Sequence, residues 1–150
     1  MRLQAKRRHG TTMVEFGIVF PVIFLLLLGL VIGASGMFRY QETAHLARTA
    51  ARYAATHGTQ WAKDTGNTAP TPTDIYNNVI VPNSVMLDQS RISYSITYNT
   101  SNQPAHETIV NNQVVPVTNL VTVTVTYLWI PEAFLGGITI SSTSVMPMSY

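Results

Sequence analysis

The side chains able to do covalent or metal chemistry are few in this chain and stand apart from one another. With no cysteine in 150 residues, thiol nucleophiles, disulfides and Cys-ligated zinc or iron–sulfur centres are excluded. No G-x-S-x-G, phosphate loop, H-E-x-x-H or G-x-G-x-x-G pattern occurs, and Asp64, Asp74, Asp88, Glu107 and Glu132 are isolated in sequence. His106-Glu107 is a possible general-base pair, but its polar neighbours near Pro104 read as a solvated loop. His45 and His57 have no cysteine or acidic pair at ligand spacing, so neither a metal nor a cofactor is expected. Tyr127 and Trp129 share one face of a strand pattern, which favours core packing over a ligand platform. The chain does not read as an enzyme. The ionisable residue whose position calls for an explanation is Glu15.

Glu15 immediately precedes Phe16–Phe38, a run of 23 residues without a charge. At ~1.5 Å per residue a helix of that length rises roughly 34 Å, enough for a hydrocarbon core of about 30 Å. A carboxylate at the edge of such a span is costly unless it is paired or favoured by the helix dipole. Before it stand Arg2, Lys6, Arg7 and Arg8, with no acid among them. The formal charge of +2 is therefore uneven: from Thr11 onward, five basic side chains face seven acidic ones, leaving −2. By the positive-inside bias the basic cluster predicts a cytoplasmic N-terminus and an external C-terminal part, against the smaller pull of Arg39, Arg48 and Arg52. As a flank of a span it is a poor nucleic-acid surface, and no nucleic-acid partner is expected. Within the run, Pro21 lacks the N–H that would bond to the carbonyl of Gly17 and predicts a kink. Gly29 and Gly33 form G-x-x-x-G, with Gly36 near the same side, a face that would let another helix approach.

Cutting after Gly10 would make Glu15 the fifth residue of a new chain, with an apolar helix directly behind it. This arrangement resembles the type IV prepilin signal. More closely, Gly10-Thr-Thr-Met-Val-Glu-Phe-Gly-Ile-Val-Phe-Pro21 is similar to the TadE-like family, the minor pilins or pseudopilins of the tight-adherence pilus system. The likeness continues through the alanine-rich stretch 44–55 and the Val121-Thr-Val-Thr-Val-Thr-Tyr127 strand, while residues from about Gly58 to Asn119 carry no family signature. The resemblance implies a single-pass protein of the bacterial cytoplasmic membrane, cut between Gly10 and Thr11 by a membrane-embedded prepilin peptidase. Gly10 leaves a protease unobstructed access to the scissile backbone. Glu15 would then be the assembly charge, pairing with the α-amine of a neighbouring subunit where a low dielectric strengthens the attraction. The implied partners are the membrane, the peptidase, other minor pilins, the major pilin and the assembly platform. Thr11 departs from the Phe that many pilins carry at the first mature position, which bears on N-methylation and assembly more than on cleavage. A rival reading is a secretory signal peptide with h-region Phe16–Ile32 and a cleavage zone at Ala34-Ser35-Gly36, against which the long span, Pro21 and Glu15 all count. Two further classes are a membrane-anchored extracytoplasmic binding module not cut at Gly10 and a secreted hydrolase.

Beyond Phe38 the pattern becomes amphipathic. Tyr40, Ala44, Ala47, Ala51 and Ala54 recur every three or four residues, predicting that the membrane helix continues as a stem to about His57, with Gly58 as its stop. A helix over 12–57 would be roughly 69 Å long. His45 and His57 read as partly solvated stem residues. Of the 92 residues from Thr59 on, 32 are Ser, Thr or Asn and seven are charged, composition of a folded, β-rich head. Trp61–Thr73 reads as a loop, and Asp74–Ile80 as a short helix ended by Pro82. Period-two alternation predicts strands over Ile92–Tyr98 and Val121–Trp129, a third over Ile138–Val145 returning antiparallel, and a hairpin within Glu107–Val117. The expected class is α+β: a leader over 1–10, a transmembrane helix and stem over 11–57, and a small antiparallel head over 58–150.

Overall fold

Leucine and alanine, both strong helix formers, carry one helix, α1, from His9 to Thr56, continuing through Pro21. A computed structural model describes residues 9–99, 108–110, 113–115, 120–131 and 136–148. The chain divides into two compact units, Met1–Ser35 and Gly36–Tyr150, and α1 contributes to both.

In the first unit α1 is bare. Its most apolar stretch has a mean hydropathy of 2.8 and none of it is covered by protein. It is long and apolar enough to cross a membrane. Phe16, Phe20 and Phe24, each four residues apart, stack along one side with ring centroids 5.6 and 6.2 Å apart.

The second unit begins at Gly36. Here the helix buries a broad row that includes Ala44, Leu46, Ala47, Ala50, Ala51 and Ala54, while His45, Arg48 and Arg52 face solvent. Tyr40, expected on this row, remains 49 % exposed, and burial starts only at Thr43 and Ala44. Thr43 is buried because its hydroxyl donates to the Arg39 carbonyl one turn back, at 2.8 Å.

The segment after α1 is more helical than its prolines suggest. Gly58 has an extended backbone and caps the start of a second helix, α2 (Thr59–Thr65), instead of stopping α1 in a left-handed turn. Gly66, with φ of 71°, takes the left-handed position that closes α2. Residues 61–65, predicted as loop, are thus helical, and only 67–71 remain irregular. Thr71 then opens α3 (Pro72–Ile75) with a reciprocal capping box: its hydroxyl oxygen accepts from the Asp74 amide, and the Asp74 carboxylate accepts from the Thr71 amide and hydroxyl. A π-helical turn (Tyr76–Ile80) and α4 (Val81–Asn83) follow, so the helix runs past Pro82. In the widened turn the Val81 amide reaches back to the Tyr76 carbonyl, and this register absorbs the donor that Pro82 lacks.

The strands follow the alternation closely. β1 (Ile92–Asn99), β4 (Leu120–Trp129) and β5 (Ile138–Pro147) form an antiparallel sheet in the order β1-β4-β5. Between β1 and β4 in sequence, β2 (Thr108–Val110) and β3 (Gln113–Val115) make the expected hairpin. Val121, Val123, Val125, Tyr127 and Trp129 are the buried face of central β4. On the other face, Thr124 pairs with Thr143 at 2.9 Å and Thr126 with Ser141 at 3.2 Å, cross-strand hydroxyl contacts that help fix the register. Ile75, Ile80 and Leu87 complete the core.

Candidate functional site

The Gly10–Thr11 peptide bond lies in the first turn of α1. Glu15 is exposed, one turn further on. Thr11 and Glu15 are four residues apart, about 6 Å along the axis and on one side of the helix.

Along the span, Gly29 and Gly33 meet nothing within 4 Å of where a Cβ would stand. Gly29 and the side chains of Val22, Leu25, Leu26 and Leu30 share an open apolar face of the bare helix. Gly36 is different. A Cβ there would stand 2.6 Å from Cζ3 and 2.9 Å from Cη2 of Trp129. Its bare backbone receives the indole of its own head and is not free for a second helix.

Next to that contact is a polar cluster whose role the sequence did not reveal. Arg39 donates through Nη1 to the Met86 carbonyl at 3.2 Å and to the Tyr127 hydroxyl at 3.3 Å, with its guanidinium 6.0 Å from the Trp129 ring centre. Glu42, one turn later, accepts the Met86 amide at 2.9 Å through Oε1. Two opposite charges on one side of the helix therefore hold both polar groups of a single peptide residue. The other Glu42 oxygen, Oε2, is buried without a hydrogen-bond partner. The available signal was the i, i+3 spacing of Arg39 and Glu42 just past the apolar run. The partner, Met86, is 44 residues away from Glu42 and carries no pattern of its own.

Other titratable groups serve the backbone. The Thr71 hydroxyl and then its amide hold the Asp74 carboxyl below its ordinary value. Asp88 is lowered in the same way, first by the Ser90 hydroxyl, then by its amide, with a smaller contribution from Arg91. His45 is exposed, whereas His57 is half-buried, stacked on Tyr53 with centroids 4.0 Å apart and tilted against Trp61 at 4.6 Å. Tyr127 and Trp129 are core residues, 2 % and 7 % exposed. Among the described residues no group of three His, Asp or Glu side chains is placed to hold a metal ion. His106 and Glu107 lie outside the described residues.

Residues 10–52 match the family described as TadE-like protein. No curated protein and no solved structure matches the chain. The match covers the motif from Gly10 to Pro21 that carried the resemblance, and takes in Gly10, Glu15, the whole apolar run, Arg39 and Glu42. The match stops short of the Val121–Tyr127 strand.

Proposed function

We propose that the protein is a minor pilin or pseudopilin of a tight-adherence pilus or a related secretion apparatus, with an assembly function and no catalytic one. The observation that carries this reading is the coincidence, within one TadE-like segment, of Gly10, Glu15 and an uncovered helix of membrane-spanning length. The N-terminus is cytoplasmic, a prepilin peptidase cuts between Gly10 and Thr11, and the head works outside the membrane. Glu15 supplies the charge that registers the subunit against a neighbour's amine. Gly29 and Gly33 supply an open face for the neighbouring helix, and Pro21 leaves a carbonyl that such a helix can satisfy.

Mass spectrometry of the mature chain tests the cleavage: a chain beginning at Thr11 is expected, and one beginning at Met37 refutes it. Gly10→Glu should leave the longer precursor. Glu15→Ala should leave insertion intact and reduce incorporation into fibres, and unchanged fibres with unchanged co-purification of other pilins would remove the role of Glu15.

A further inference from the structure

The second unit carries its large exposed apolar side chains unevenly. Val85 and Met86 are 83 % and 62 % exposed, yet the loop that presents them is pinned to the helix through Arg39 and Glu42. At the end of β4, Leu128 and Ile130 flank Trp129, which packs on Gly36, and Ile138 pairs opposite Trp129. On α1 itself, Met37 and Phe38 are more than half exposed at the same level. The Met86 loop and Trp129 are thus held at 36–42 of α1, where the charge-free run ends and Arg39 stands as the first charge, while Leu128 and Ile130 lie on the other face of the same strand end. Asp88, the acid nearest in sequence to the loop, has Arg91 against it at 3.4 Å. At the opposite end of the sheet, where Tyr98 pairs with Val121 and Val145 with Thr122, Tyr98 and Val145 are the large exposed apolar side chains among the described residues.

The geometry points to a lipid-dipping collar: the loop at Val85 and Met86, together with Met37 and Phe38 of α1, seats in the membrane interface. A single exposed apolar side chain needs no explanation, but a cluster of them next to a span end has an apolar medium within reach. Side chains of this kind settle roughly 5–10 Å into the boundary between headgroups and acyl chains, while an arginine at that depth extends its charge toward the headgroups. The collar would hold the head against the bilayer before assembly, and extraction of the subunit into a fibre would have to release it. This inference rests on the reading of 16–38 as a membrane span.

The natural absence of cysteine makes the test direct. Val85→Cys, Val145→Cys and Leu26→Cys, each in the full chain, are labelled with an environment-sensitive fluorophore and reconstituted in phosphatidylethanolamine–phosphatidylglycerol vesicles containing nitroxide-labelled lipid. The collar predicts quenching at Leu26 and at Val85, with Val85 quenched at least about twofold more than Val145, as expected for a side chain inside the interface. Quenching at Leu26 with Val85 no different from Val145 overturns the collar and leaves the span standing. No quenching at Leu26 overturns both. Shielding of Val85 without lipid quenching, lost on dilution into excess lipid, identifies a second copy of the chain as the occupant and also overturns the collar.

Discussion

Gly36→Ala gives the sharpest test of how stem and sheet fit together. Ordinary carbon contacts stand at about 3.5–4.0 Å, whereas the new methyl would meet the Trp129 indole at 2.6 Å. The ring must retreat by roughly 1 Å, and it is 7 % exposed with Arg39 beside it, so it has little room to move. Overpacking of this kind costs about 1–3 kcal/mol, and a deficit this large belongs in the upper half of that range. Alanine returns about 1 kcal/mol through its better helix propensity. The net expectation is destabilisation of the head by about 1–2 kcal/mol, a fall in Tm of roughly 4 °C or more for each kcal/mol in a domain of this size. Thermal unfolding in detergent, followed by Trp129 fluorescence in a Trp61→Phe background, reads both the loss of stability and a red-shifted indole. In a Trp129→Leu background, followed by circular dichroism, Gly36→Ala should cost less, because the ring that clashes is gone. The controls, Gly29→Ala and Gly33→Ala, meet nothing within 4 Å and should leave the head unchanged. A Gly36→Ala protein more stable than wild type, with an unshifted indole, would refute the packing argument.

Glu42→Ala should free the Met86 loop, because a carboxylate bond at 2.9 Å is lost; about 1 kcal/mol corresponds to roughly fivefold faster hydrogen exchange at the Met86 amide, read by NMR. Glu42→Gln, which keeps an acceptor oxygen, should show a smaller change. Gly66→Ala should fray the end of α2 at a cost of about 1–2 kcal/mol, since φ is 71° there, and increase solvent quenching of Trp61. Asp74 has a depressed folded value, so its capping box contributes above the ordinary value of 3.8 and is lost as pH falls through the lower folded one. Thr71→Ala removes the largest cause and should return the Asp74 titration toward 3.8 in a carboxyl NMR experiment. An Asp74 titration that stays where it was would show that the hydroxyl does not hold it.

Local pattern went far in this chain because its main elements are long and strongly periodic. Five alternating apolar positions from Val121 to Trp129 define a face that can only be buried one way, and the same alternation places Ile92 and Tyr94. Between Gly58 and Pro82 the glycines and prolines do not by themselves mark where a helix starts or ends, although α1 does stop at Thr56, just before Gly58. Gly58 turned out to cap a helix and Gly66 to end it, and a π turn carried the chain past Pro82. Which of two glycines adopts the left-handed conformation depends on neighbouring hydrogen bonds, not on glycine itself.

The division between sequence and tertiary structure is clearest around the end of the span. The amino-acid order alone determined the apolar helix, the charge ahead of it, the Gly10–Glu15 spacing and the strand faces, because each rests on neighbours within a few turns or on a fixed period. Only the folded chain decided that Gly36 receives Trp129, while Gly29 and Gly33 stay open, and that Arg39 and Glu42 grip one residue of a distant loop. Three glycines on similar helix positions are equivalent to local rules. They become different when a sheet returning from some 90 residues away lays an indole over one of them.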